Sequence, residues 1–318
     1  MKTIKLYPWR VITGLLLMVI VLGESSCKRS SPFDYFEEQP VYEDTGDDND
    51  DNNNNGGDEG DDDDGPQTIE PGENLGDLGQ VVFSYAGETV VYATVRLGDG
   101  SIWLQQNLGS FQVAGSTNDH LAHGDLFQWG RWDDGHQLID RTNPTQPPLA
   151  VNSTNLTAPN PDNILATKTG NAVGSVYINK NTWWNMEEPV TATAATPEEV
   201  TATNGADPCK AIGEGWRLPT ATEYTAIKDN TDGVLGSTIT NSETAFNSIL
   251  KLTVGAIRTG PAGFTGVGNR GMYWSSTAAP LTGGLTPHQS MAIDITVTTA
   301  SVAPSRRYFG CCIRCLKK

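Results

Sequence analysis

An apolar stretch long enough to cross a bilayer is missing from this 318-residue chain. Its N-terminal run, Val11 to Gly23, has 13 residues, and a spanning helix needs about 20. Positive charge is also scarce, with 21 Lys and Arg against 38 Asp and Glu and a net charge of −17. Without a basic field, nucleic acid is not an expected partner. Histidine occurs four times, as His120, His123, His136 and His288, and never at metal-ligand spacing. No phosphate loop, nucleophile elbow or His-Glu-X-X-His motif occurs, so the chain is not read as an enzyme.

What is present begins at the N-terminus. Lys2, Lys5 and Arg10 precede the apolar run, which ends in Glu24-Ser25-Ser26-Cys27, the layout of an export signal. The pattern resembles a bacterial lipoprotein signal over residues 1–26, and Glu24 stands where that family usually carries an aliphatic residue. The resemblance implies lipidation at Cys27. Acyl chains buried at about 0.8 kcal/mol per methylene would then tether the protein to a lipid membrane. The expected location is the cell envelope, as an outer-membrane-anchored lipoprotein exposed at the surface. Lys28 and Arg29 give no acidic sorting tag after Cys27.

Residues 27–75 read as anchor and linker. Glu43 to Asp64 holds twelve acidic residues, four consecutive Asn and no Lys or Arg. Such a segment cannot bury enough apolar surface to offset its ordering entropy, and like charges extend it. The run Asp61-Asp62-Asp63-Asp64 lacks the spaced ligands of an EF-hand. Most of the net charge lies here, because residues 76–318 carry 20 acidic and 16 basic residues, a balance of −4.

Residues 76–318 suffice for one large domain. A Pro-, Thr- and Asn-rich stretch, about 141–207, reads as a long irregular insertion with a short strand near Ser175 to Ile178. The Asn-X-Ser/Thr matches at Asn152 and Asn155 are weak pointers, because a bacterial lipoprotein does not ordinarily meet the machinery that reads them. Tyr92 to Leu97 and Ser101 to Gln105, separated by Gly98-Asp99-Gly100, predict a hairpin. Thr220 followed by Glu223 is a capping box, predicting a helix from about Ala221 to Asp229. A second helix is predicted after Asn241, with Phe246, Ile249 and Leu250 on one face. Met291, Ile293, Ile295 and Val297 alternate with polar or small residues, a strand with one buried face. Phe309 to Leu316 reads as a closing strand. The expected class is α+β, with antiparallel strands dominating and two central helices.

Five motifs follow in order: Thr94 to Gly98, Trp103-Leu104-Gln105-Gln106-Asn107-Leu108, Gly215-Trp216-Arg217-Leu218-Pro219-Thr220, Tyr273-Trp274-Ser275-Ser276-Thr277, and Ile313-Arg314-Cys315. This order resembles the Fibrobacter succinogenes major paralogous domain family over most of Gly79 to Leu316. The resemblance implies a C-type-lectin-like fold on exported, surface-anchored proteins, with a role in adhesion or carbohydrate contact. With Cys27 assigned to lipid, four cysteines remain and permit three pairings. The resemblance favours a disulfide between Cys209 and Cys315. Cys311 and Cys312 stand where the family does not normally carry cysteine. A zinc site built on them is set aside, because repeated Cys-X2-Cys pairs are absent.

The candidate ligand surface is the stretch 124–137, where Trp129 and Trp132 stand among Arg131, Asp134 and His136. Aromatic faces beside hydrogen-bonding side chains suit a sugar. The competing reading is a packed strand ending in a turn. A second cluster, Trp183-Trp184-Asn185-Met186-Glu187-Glu188-Pro189, shares residue types with the calcium site of C-type lectins, in a different order and spacing. No cofactor is expected, calcium being the one ion weighed. The functional expectation is a surface binding or adhesion module for a glycan or a surface protein. A structural component of a surface assembly ranks second and a formylglycine-generating-type enzyme third.

Overall fold

Alternating burial sets the first two strands. In β1 (Leu78–Tyr85), Val81, Phe83 and Tyr85 are buried while Ser84 is exposed, the period of two of a strand packed on one face. β1 pairs antiparallel with β2 (Glu88–Arg96) through a two-residue turn, Ala86-Gly87, in which both residues have positive φ. That is the turn geometry that matches strand twist. β2 then pairs with β3 (Ile102–Leu104) in the hairpin expected around Gly98-Asp99-Gly100, where Gly100 has φ +82°. The computed structural model describes residues 65–143, 147–151, 155–156, 177–178, 207–280 and 289–318. They belong to one unit, residues 57–318. The expected signal, Cys27, the acidic spacer, the Trp183 cluster, Asn152, His288 and most of 141–207 lie outside the described residues.

The described part is mixed, with antiparallel pairing prevailing and two α-helices among the described residues. One sheet has the order β1-β2-β3-β16-β9, with β9 (Trp216–Arg217) and β16 (Leu316–Lys317) each two residues long. The larger sheet has the order β14-β13-β12-β10-β15-β4. Its members are β4 (Phe127–Gln128), β10 (Gly255–Arg258), β12 (Arg270–Ala278), β13 (Gln289–Thr296), β14 (Ala300–Arg306) and β15 (Gly310–Cys311), with β11 (Phe264–Thr265) paired to β10. Only β10 and β12 run parallel in it. Two small pairs complete the list: β5 (Ile139–Asp140) with β6 (Leu149–Ala150), and β7 (Asn155–Leu156) parallel to β8 (Tyr177–Ile178), at the strand expected near Ile178.

Strand alternation divides the core in two. Tyr92, Leu104, Trp274 and Cys311 pack with Phe127, Trp129 and Trp216. Their strand neighbours Val95, Trp103, Tyr273 and Cys312 pack on the other side with Tyr224, Ile227 and Ile293. α1 (Ala221–Asp229) starts at the expected capping box: Thr220 Oγ1 accepts from the Glu223 amide at 3.1 Å and Glu223 Oε2 accepts from the Thr220 amide at 2.8 Å. Arg217 forks onto the same carboxylate at 2.8 and 2.6 Å.

Three expectations change. α2 (Ser242–Asn247) starts at a capping box of Asn241 and Thr244 but is only six residues long. Ser248 turns extended and its Oγ donates back to Ala245 O, so Ile249 and Leu250 lie beyond the helix rather than on its face. Along β13, Ile293 and Ile295 are buried as expected, but Met291 is half-buried and Val297 is exposed in the turn to β14. Phe309 to Leu316 is not one strand. β15 belongs to the large sheet and β16 to the small one, and the chain crosses between them at Cys312 to Cys315.

Candidate functional site

The stretch expected to present a ligand surface turns inward. After β4, Gly130 adopts φ +77° and Trp129 is only 2% exposed. Its Nε1 donates to Ser275 O at 2.7 Å, and the Arg307 guanidinium lies 4.1 Å from the ring. Arg131 is fully buried, donating to Asp134 Oδ2 at 3.1 and 2.7 Å and to Gln128 Oε1 at 2.7 Å. Asp134 Oδ1 meets His136 Nδ1 at 2.5 Å, while His136 Nε2 accepts from the Gln128 amide at 2.9 Å. An imidazole that accepts at Nε2 is neutral, with its proton on Nδ1 toward the carboxylate.

Electrostatics agree with that assignment. Burial lowers the His136 pKa to about 4, and the Arg131 and Arg258 charges push it the same way. Burial pushes the Asp134 carboxyl up, but His136, Arg131 and their hydrogen bonds outweigh it and hold it at about 2. A stacking platform needs an open ring face, and Trp129, Arg131 and His136 offer none, so the expectation of an exposed surface is corrected there. Guanidinium, carboxylate and imidazole can be buried together because each satisfies its neighbour. Trp132 is half-buried.

Cys209 and Cys315 are bonded, with Cα atoms 5.5 Å apart. Asp207 fixes the turn that carries Cys209: Oδ1 accepts from the Cys209 amide at 3.0 Å and Oδ2 from the Leu218 amide at 2.8 Å. Cys311 and Cys312 are free, fully buried and on opposite sides of the core. Burial raises both thiols, that of Cys312 to about 11 despite the nearby Arg141 and Arg314 charges, so neither is a thiolate nucleophile near neutrality. Among the described residues no group of three or more His, Cys, Asp or Glu is placed to hold a metal ion.

A cleft of about 280 Å³ opens on the five-stranded sheet. Its floor is Val81, Thr94, Ile102 and Lys317, from β1, β2, β3 and β16. One wall is the strap Thr68 to Pro71, held to the β1 edge by reciprocal backbone bonds between Ile69 and Gln80 at 2.8 Å. The strap crosses where β1 carries Gly79, at which a Cβ would come within 2.4 Å of Ile69 O. The opposite wall is Ile212 to Glu214 and Trp216, beside the disulfide-bonded turn. Lys317 reaches Glu70 of the strap at 2.6 Å. Thr94, only 2% exposed, has its Oγ1 buried with no hydrogen-bond partner.

Sequence reasoning missed this cleft, because its lining comes from separate segments with no shared motif. The one signal was Gly79, a small residue inside an alternating strand, which marks a close backbone approach. No protein-family model, curated protein or solved structure matches the chain.

Proposed function

We propose that the chain is an exported lipoprotein, anchored through Cys27 in the outer membrane, whose residues 76–318 form a C-type-lectin-like binding module for glycans at the cell surface, akin to the Fibrobacter succinogenes major paralogous domain. The observation that carries this reading is the closure of the domain on itself. β16, near the C-terminus, lies between β3 and β9, and Cys315 beside it is bonded to Cys209. A sheet that joins the two ends of a domain and is tied by a disulfide suits an oxidising compartment and a rigid display of loops. The motifs shared with that family fall on this closure: Trp103 in β3, Trp216 and Arg217 in β9, and Arg314 and Cys315 before β16.

The test has two arms. Cys27→Ala should move the protein from the detergent phase to the aqueous phase, since loss of the thiol removes every acyl chain. The wild-type protein should be released from intact cells by protease shaving and should bind a subset of a glycan array. Unchanged partitioning of the variant ends the lipoprotein assignment. Surface exposure with no glycan bound replaces recognition by a structural role.

A further inference from the structure

The strap that precedes β1 is held differently from the strands behind it. Ile69 exchanges both backbone bonds with Gln80 at 2.8 Å, Thr68 Oγ1 accepts from the Val82 amide at 3.0 Å, and Gln67 O accepts from Gln80 Nε2 at 2.7 Å. Arg96 donates from Nη2 to Pro71 O at 3.1 Å and from Nε to Gly72 O, and Lys317 reaches Glu70 at 2.6 Å. These contacts are polar, and most lie at the surface. Pro71 is buried, but residues 65–70 and 72–75 are exposed, and the Ile69 side chain stands 56% in solvent. A segment with exposed backbone bonds and almost no buried apolar contact lies at the low end of local stability. β1, by contrast, buries Val81, Phe83 and Tyr85 in the core.

Direction matters as much as strength. The strap runs antiparallel to β1, so the chain arriving from the acidic segment enters beside Val82, passes Gln80 and turns back through Asn74 to Asp77 into β1. Tension on the arriving chain therefore loads these bonds one after another from the Gln67 end. Bonds loaded in sequence open at a lower force than bonds that share a load. Opening stops at a defined place, because Gly76 donates to Arg96 O at 2.9 Å, Arg96 donates to Asp77 O at 3.0 Å, and the β1–β2 ladder begins at Leu78. Residues 66–75 are thereby freed, about 35 Å of chain at full extension. Gly79 is the seat of the contact: a Cβ there would meet Ile69 O, Pro71 N and Pro71 Cδ, all atoms of the strap.

We propose that residues 67–72 are a clasp that releases under tension, lengthening the tether before the domain unfolds and leaving the disulfide-tied sheet behind it intact. The load is that of the surface-anchored module proposed above, on which this inference rests. Without tension the same strap covers part of the β1 edge, whose backbone groups would otherwise be open to another strand.

The full-length protein in detergent, held by its two termini in optical tweezers, measures the release directly. A step of about 35 Å should precede global unfolding at a lower force and should reverse on relaxation. Ile69→Pro deletes the amide donated to Gln80 and leaves the core untouched, while Gly79→Val fills the seat. Each should remove the early step and keep the global event. Where Gly79→Val also loses the global event, Ile69→Pro alone decides, since its side chain lies in solvent. Global unfolding of the wild type without an earlier step overturns the clasp, as does an early step that both variants retain. A first step much longer than about 35 Å also overturns it, because β1 would then be leaving with the strap. Unchanged phase partitioning of Cys27→Ala with the early step present removes the anchor and with it the load. A shift in partitioning with no early step removes the clasp and leaves the anchored reading standing.

Discussion

Asn107 holds Arg314 by a fork in which Nε and Nη2 of the guanidinium both donate to the same Asn107 Oδ1, at 3.0 and 2.7 Å, across 207 residues of sequence. Nη1 donates to Leu104 O and Leu250 O at 2.9 and 2.7 Å. Among the described residues no carboxylate bonds this buried cation, and its charge is met by carbonyl and amide oxygens with the Tyr273 and Tyr224 phenols beside it. These bonds pin the crossing between β15 and β16 to the loop after β3. A guanidinium suits this role because it presents several donors in one plane.

Arg314→Lys should therefore destabilise the domain by about 3 kcal/mol or more, because one ammonium cannot replace four hydrogen bonds to three separate acceptors and leaves buried oxygens unpaired. The double change Asn107→Leu with Arg314→Met should cost less than the sum of its single changes, with a coupling of about 1 to 3 kcal/mol. Chemical denaturation of the wild type, Arg314→Lys and the three variants of the cycle measures both quantities. Additive effects would mean that the fork is not a unit.

Legibility followed locality. The capping box at Thr220 and the hairpin around Gly98-Asp99-Gly100 are set by residues within a few positions of each other, and both stand where their sequence places them. The Cys209–Cys315 disulfide, implied by the family resemblance and not by spacing, is present. The end of α2 was not legible, because the Ser248 backbone leaves the helix to let Leu250 enter the core near Arg314. The break inside Phe309 to Leu316 was hidden for a similar reason. An apolar octapeptide looks the same whether it pairs with one sheet or bridges two, and Arg314 decides between them through partners remote in sequence. At the expected ligand surface, hydrophilic residues read as exposed were buried as a mutually bonded set, since nothing in the stretch 124–137 announces the partners Arg258, Ser275 and Arg307.

Trp129 and Trp132 should now behave differently. Trp129→Ala removes a buried ring, its bond to Ser275 O and the surface on which Arg307 lies, and should cost about 3 to 5 kcal/mol of stability. Trp132→Ala, at a half-buried ring, should cost markedly less. Thermal melts of the two variants make the comparison. Equal losses would place both rings in the core.

The cysteines should fall into two chemical classes. In the native protein an alkylating reagent should leave Cys311 and Cys312 unmodified, since both thiols are buried and raised above the ordinary range. Denaturant alone should expose both, whereas Cys209 and Cys315 should label only after reduction. Cys209→Ser should lower stability by about 3 to 5 kcal/mol, because the bond spans a sequence separation of 106 residues. Peptide mapping by mass spectrometry reads the labelling, and labelling of Cys311 or Cys312 without denaturant would contradict their burial.

Acid should reveal two opposing sets of protons. Burial lowers His123 to about 3 and His136 to about 4, from an ordinary 6.5. As pH falls below 6.5 the unfolded chain binds these protons first, so stability drops. Asp207 acts in the other direction. Burial raises its carboxyl to about 6 from an ordinary 3.8, in spite of the amide bonds from Leu218 and Cys209. Between about pH 4 and 6 the folded state keeps a proton that the unfolded chain has released, so this group removes roughly 3 kcal/mol of stability as pH rises through the window. Two histidines against one aspartate leave a net of about one proton, a slope of about 1.4 kcal/mol per pH unit from these groups. Asp207→Asn should steepen the slope by about one further proton, while Asp134, held at about 2, makes its own loss only below pH 4. The measurement is the unfolding free energy from denaturant titrations at half-unit steps from pH 4 to 7, in wild type and variant. Identical slopes would show that Asp207 is ionised throughout, and that its two amide bonds outweigh its burial.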